Sequence, residues 1–204
     1  MGYGMIVHSA MSQNRKTVRG DKKERILDAA LGLFSGRGFH GTAVPEIADG
    51  AGVGAGTIYR YFESKEALVN ELFRREKERL LAALMTDFPV SSGARDQFHY
   101  FLRKIVGYAK SHRASFEFLE HHHHAPYLDE ASCAMEERVM ALAGSFLGQT
   151  TSARITKQVI PGLLMSVVWG GLTRLVKDEW AGRFVLDEAA LDDVETILWE
   201  AIRL

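Results

Sequence analysis

Gly41-Thr42-Ala43-Val44-Pro45-Glu46-Ile47-Ala48-Asp49-Gly50-Ala51-Gly52-Val53-Gly54-Ala55-Gly56-Thr57-Ile58-Tyr59-Arg60-Tyr61-Phe62-Glu63-Ser64-Lys65-Glu66-Ala67-Leu68 decides how this chain is read. It scans as two short helices joined by a glycine turn, followed by the start of a longer helix. Ile47 and Ala48 share one face of the first short helix. Gly52 ends it, because the turn needs a positive φ that glycine adopts freely. Val53 then faces inward. Ile58 and Phe62, four residues apart, share the buried side of the second helix, while Gly56, Thr57 and Tyr59-Arg60-Tyr61 lie along it. This pattern is a helix-turn-helix, whose second helix suits the major groove of DNA. Ser64 is placed to cap the next helix, and Glu63 and Glu66 favour its positive end.

The run Gly52–Leu68 resembles the signature of TetR-type transcriptional repressors. So does Ile26-Leu27-Asp28-Ala29-Ala30-Leu31-Gly32-Leu33-Phe34-Ser35-Gly36-Arg37-Gly38-Phe39-His40-Gly41-Thr42 upstream. Order, spacing and residue type agree over one unbroken block, Lys22–Leu72; beyond it the likeness is architectural. By position, the resemblance implies that Thr42 offers a hydroxyl to a DNA phosphate and that Lys65 meets phosphate at the start of the fourth helix. It implies that Tyr59 and Tyr61 contact the backbone and thymine methyls, and that Arg60 reaches a base edge. Thr57 joins this set. Arginine bonds guanine bidentately, whereas a phosphate contact adds affinity without sequence information. Each tyrosine has a second reading, as packing for the small domain.

Two positions depart from the family pattern. Gly54 stands where Ser is common, and Ala55 where a polar or basic residue is common. The third helix therefore lacks a capping hydroxyl, and small residues let the backbone approach DNA closely. Gly52-Val53-Gly54-Ala55-Gly56 also mimics a dinucleotide-binding loop, but Thr57 occupies the place of the third glycine and a helix precedes it, which argues against that reading.

The totals set wide bounds. With 204 residues and 47% hydrophobic content, the chain can bury a real core in one large or two modest domains. Residues 1–66 carry nine Lys+Arg against seven Asp+Glu, and residues 67–204 carry sixteen against nineteen. The basic excess gathers at Arg15, Lys16, Arg19, Lys22, Lys23 and Arg25, a place suited either to phosphate contact or to plain solvation. Cys133 is the only cysteine, so no internal disulfide forms, in keeping with a reducing cytoplasm. Val159–Val176 is apolar, but Pro161, Gly162, Gly170, Gly171, Thr173 and Arg174 interrupt it. It reads as a buried helix rather than a membrane span.

In order, residues 1–20 read as a disordered basic arm and 21–66 as the helix-turn-helix domain. Residues 67–204 read as an effector-binding and dimerisation domain. Asp21–Arg37 is the first helix, with Ile26, Leu27, Ala30, Leu33 and Phe34 inward and Phe39 plugging its base. The fourth helix, from Ser64 to about Met85, is expected to link both halves rigidly. Later helices are expected over Asp96–His112, Ser115–His124 and a stripe from Leu128 through Ala131, Met135, Val139 and Leu142 to Phe146. A loop at Thr150–Ala153 precedes a long helix, Ile155–Trp180, and a last one, Asp187–Leu204. No alternating strand pattern appears. The fold class is all-α, with about nine helices.

Functional candidates in the second half are softer. Phe98, Phe101, Tyr108, Phe118, Met135, Met165 and Trp169, with His121 and His124, are the candidate lining of a pocket for a small apolar or aromatic effector. Aromatics at helical spacing are also ordinary core. The His121–His124 run reads as pocket lining, as a polar helix end, or least favourably as a metal site, because no HExxH or carboxylate pattern completes one. Cys133 has no orienting partner that would make it a nucleophile. Val159, Leu163, Val167 and Gly170 on one helix, and Leu191, Val194 and Leu198 on the last, are the candidate homodimer interface. The expected whole is a cytoplasmic homodimer that grips double-stranded DNA and answers to a small molecule. It has no catalytic residues, cofactor, metal or membrane contact. The alternative is an α-helical enzyme or carrier with a vestigial DNA-binding domain.

Overall fold

The computed structural model describes residues 4–204, with side chains from Asp21 onward. The first helix begins at Gly4 rather than Asp21, so the backbone of most of the arm expected at 1–20 is helical, while its side chains lie outside the described residues. Among the described residues there are nine helices and no strand: α1 (Gly4–Arg37), α2 (Val44–Ala51), α3 (Ala55–Ile58), α4 (Lys65–Met85), α5 (Ala94–Ser111), α6 (Arg113–His122), α7 (Glu130–Ser152), α8 (Pro161–Trp180) and α9 (Glu188–Ile202). No described helix is long and apolar enough to cross a membrane. The chain divides into two compact units, Met1–Arg75 with Glu117–Asp129, and Glu76–Phe116 with Glu130–Leu204.

The first unit is built on α1. Ile26, Leu27, Ala30 and Phe34 are buried at helical spacing, as are Val44, Ile47, Ala48 and Ala51 of α2. Ile58, Phe62, Leu68, Val69, Leu72 and Phe73 complete the core. Leu33, expected inward, is half-buried. Pro45 sits in the first turn of α2, where its missing N–H has no helical partner to lose. Gly52 adopts φ 62°, the left-handed turn predicted for it.

The second unit contains α5, α7, α8 and α9. Leu102, Ile105, Leu164, Val168, Leu172, Val176, Leu198 and Ile202 are buried in it. Three expectations change here, the first being the loop at Thr150–Ala153, most of which is the end of α7. The long helix expected from Ile155 begins only at Pro161. Proline disfavours helical backbone in the residue before it, and Ile160 is accordingly extended at ψ 124°. Ile155–Lys157 instead pairs with the chain end: Thr156 bridges Arg203, and Lys157 N–H donates to the Ile202 carbonyl at 2.8 Å. Helix α7 also buries a face other than its apolar stripe. Ala131 and Leu142 are exposed, whereas Ser132 and Glu136 are buried. Glu136 is tolerated there because the Lys77 ammonium of α4 lies 2.5 Å from it.

Candidate nucleic-acid interface

The two short helices are held very differently. At the start of α2, the Glu46 carboxylate accepts a 2.9 Å hydrogen bond from the Ala43 N–H and pairs with Arg37 at 2.7 Å. The Ala43 amide beside it holds the Glu46 carboxyl below the usual range. At its end, Arg25 of α1 donates to the Ala51 carbonyl at 2.5 Å, a cation at the negative pole of the helix. Helix α3 has neither device: Gly54 is its N-cap, with no side-chain cap hydrogen bond.

Gly54, Ala55 and Gly56 are exposed, Thr57 is half-buried, and Ile58 anchors the helix inward. Tyr59 is 57% exposed. Tyr61 is half-buried with its ring 6.5 Å from Phe62, so part of it packs the domain. Arg60 is exposed, and its side chain makes no hydrogen bond or ion pair among the described residues. A guanidinium held at the surface with its donors free is equipped to bond a base edge or a phosphate.

Two residues assigned to phosphate by resemblance are engaged inside the protein. Thr42 is buried, and its hydroxyl donates to the Gly38 carbonyl at 3.0 Å. Lys65 donates to the Phe39 carbonyl and lies 4.2 Å above the Phe39 ring. Both brace the corner between α1 and α2. Gly41 in that corner has no room for a Cβ, which would collide with the Arg37 carbonyl.

The structure divides the candidate pocket residues. Phe118 is buried in the first unit, while His121 and His124 are exposed there. In the second unit Phe98 packs on Trp199 at 5.4 Å, the Tyr108 hydroxyl meets Ser115 Oγ at 2.7 Å, and Trp169 lies 6.0 Å from Phe116. Phe101, Met135, Met165 and Trp169 are half-covered. The buried histidine is His122, inside the His121–His124 run but not one of its two members singled out for the pocket; it lies four residues from Phe118 on one helical face. Burial lowers its pKa to about 4, partly opposed by the Phe34 carbonyl. No group of three or more His, Cys, Asp or Glu able to hold a metal occurs among the described residues.

Of the candidate interface residues, Val159, Leu163, Val167 and Gly170 are exposed and Val194 is half-buried. Leu191 and Leu198 are instead buried in their own unit. A Cβ on Gly171 of α8 would stand 3.2 Å from Leu198, so this leucine closes on α8. The large apolar residue of α9 that is exposed is Ile197, at 66%.

Comparison with known proteins bears on both halves. Residues 26–72 match the model for bacterial regulatory proteins of the tetR family, and residues 73–204 match a tetracyclin repressor-like C-terminal domain. The HTH-type transcriptional repressor KstR2 of Mycobacterium tuberculosis is 38% identical over 112 residues, which cover 54% of this chain and 51% of that protein. The regulator UidR of Escherichia coli is 38% identical over 72 residues, covering 35% and 37%. The chain thus spans about half the length of KstR2 and less of UidR. A TetR family transcription regulator from Marinobacter aquaeolei superposes with a TM-score of 0.84 at 21% identity, over 92% of this chain and 98% of that one. With the family models matching from the first core residue of α1 to the last residue of the chain, this protein belongs to the TetR family of bacterial transcriptional regulators.

Proposed function

We propose that the protein is a ligand-responsive repressor that binds a pseudo-palindromic DNA operator as a homodimer. The observation that carries this reading is Arg60, exposed beside Tyr59 with its guanidinium uncommitted, next to the bare Gly54-Ala55-Gly56 face of α3. Arg60 and Tyr59 contact DNA, Tyr61 and Thr57 contribute from its flank, and Gly54 and Ala55 let the α3 backbone come close. Thr42 and Lys65 act chiefly by fixing the corner that supports α2. Dimerisation is supported by Val159, Ile160, Leu163 and Val167, which are 42%, 72%, 57% and 53% exposed. Such a row of apolar side chains is costly to leave in water. Two copies would present recognition helices about 34–36 Å apart, one turn of B-DNA. A small apolar or aromatic effector would bind the second unit, where Phe101, Met165 and Trp169 are half-covered. It acts by preferring a dimer state with a different spacing. The protein works in the cytoplasm and turns over no substrate.

The test is binding to the duplex flanking the protein's own gene, measured at two salt concentrations, with Arg60→Ala alongside. Loss of affinity and relaxed sequence preference in the variant supports the reading; unchanged binding sinks the recognition-helix assignment. Sedimentation of Leu163→Asp at micromolar concentration tests the dimer, and a wild-type sedimentation profile would remove α8 from the interface.

A further inference from the structure

The first unit is discontinuous: Met1–Arg75 is completed by Glu117–Asp129, which comprises the end of α6 and the turn after it. Asn70, buried on α4, commits its whole amide to this segment and its own helix. Its Nδ2 donates to the Glu66 and Tyr127 carbonyls, both at 2.8 Å, and its Oδ1 accepts the Asp129 N–H at 2.8 Å. One turn further along α4, Arg74 Nη1 lies 2.9 Å from each carboxylate oxygen of Asp129. The turn is latched to α4 through Tyr127 and Asp129.

From the latched turn, Tyr127 reaches the corner of the helix-turn-helix. Its ring stacks on Phe39 at 4.1 Å with the planes 23° apart. Its hydroxyl lies 2.7 Å from His122 Nδ1, and the His122 ring packs 4.3 Å from Phe118 and edge-on to Phe34 at 5.9 Å. Phe39 is also the residue that Lys65 grips by carbonyl and ring. It stands three residues before Thr42, whose hydroxyl ties the same corner to Gly38. Tyr127, Phe39 and Lys65 thus form one packed series at the point where α2 and α4 both begin.

We infer that Asn70 and Tyr127 are positioning residues for DNA recognition: they hold the Phe39–Lys65 corner, and through it the seat of α2 and α3, without touching DNA. The inference rests on the DNA-binding reading above. It adds that the helix-turn-helix is not complete at the end of α4's first turns, and that a segment beyond α5 sets its geometry. Removing the Asn70 amide takes away the hydrogen bonds it makes to the Tyr127 carbonyl and the Asp129 N–H, both part-buried. Removing the Tyr127 ring opens one face of Phe39.

The experiment uses full-length protein and the same flanking duplex. Asn70→Ala, Tyr127→Leu and Tyr127→Phe are compared with wild type and Arg60→Ala, with amide hydrogen exchange followed across residues 38–44. Tyr127→Phe keeps the stack and retains affinity within about twofold. Tyr127→Leu and Asn70→Ala lose about tenfold or more, the size of an ordinary coupling between sites. They do so below their unfolding temperature, with a shallower salt dependence as phosphate contacts are lost and faster exchange at 38–44. The inference is overturned if Tyr127→Leu, folded, binds as wild type with the same salt slope, or if Tyr127→Phe loses as much as Tyr127→Leu. If Asn70→Ala fails to fold, the two Tyr127 variants decide alone. If Arg60→Ala binds as wild type, the recognition-helix reading fails instead, which is a separate outcome.

Discussion

Helices α2 and α3 lie four residues apart in sequence and are built by opposite rules. Helix α2 has eight residues, four of them buried, with Glu46 at its first amides and Arg25 at its last carbonyl. Helix α3 has four residues, one buried, and no cap from a side chain. A four-residue helix cannot sustain itself in water, because nucleation costs more than so few hydrogen bonds return. It stands because Ile58 and Phe62 are pinned in the core on either side of its last turn. The lesson is that the helix held by its neighbours keeps its own polar groups free. Those groups are the ones available to DNA.

The largest expected effect attacks the joint between the two. Gly52 sits at φ 62°, and a Cβ there would come within 2.7 Å of Arg25 Nη2. Gly52→Val should cost about 2–3 kcal/mol of stability, from left-handed backbone strain plus displacement of the Arg25 cap. Thermal unfolding would show it. In an Arg25→Ala background the further cost of Gly52→Val should shrink toward the backbone part alone. An undiminished cost would mean that the guanidinium is not what the side chain meets.

On the α3 side, Arg60→Ala should leave unfolding unchanged and weaken DNA binding by about 1–3 kcal/mol if the guanidinium reads a base. A loss of affinity equal for all sequences would turn the residue into a phosphate contact. Destabilisation of the fold would contradict its free, exposed placement.

The corner beneath α2 carries a pH signature that α3 lacks. Buried His122 has its pKa lowered from 6.5 to about 4. The unfolded chain therefore binds more protons than the folded one between those values, and stability falls as the pH drops through that window. The loss should approach about 2–3 kcal/mol, and His122→Phe should flatten that part of the profile. Wild-type acid sensitivity in the variant would place the cause elsewhere.

Much of this was legible because it is local. The Gly52 turn, the Ile58–Phe62 pair and the Ile26–Phe34 stripe depend only on neighbours a few residues away, and each lies where its spacing indicates. Ile155–Ile160 reads as helix because its hydropathy continues that of α8, whereas the geometry imposed by Pro161 decides the boundary. Lys65 and Thr42 look like phosphate ligands in sequence; the Thr42 hydroxyl and one of the three donors of the Lys65 ammonium also bond the Gly38 and Phe39 carbonyls, contacts that exist only once the corner has folded. The Asn70 latch and the Tyr127–Phe39 stack join residues 57 to 88 positions apart, beyond the reach of any periodicity. Leu191 and Leu198 are apolar at helical spacing, and spacing alone does not say whether such a face meets its own chain or another.

The smallest effect is also the sharpest on what α3 is for. A glycine kept for folding should show either positive φ or a neighbour that a Cβ would strike. Gly56 has neither: it lies in helical backbone, and nothing stands within 4 Å of the Cβ it lacks. The fold would accept alanine there, and helix propensity would favour it by up to about 1 kcal/mol. If glycine is instead needed for close approach of the α3 backbone to DNA, Gly56→Ala must move two measurements in opposite directions. The unfolding temperature should stay level or rise, while affinity for the flanking duplex should fall by a few-fold, about 1 kcal/mol. A variant that gains stability and keeps its affinity would show that the bare face of α3 is not pressed against DNA, and would leave Arg60 and Tyr59 to do the recognising from its far end.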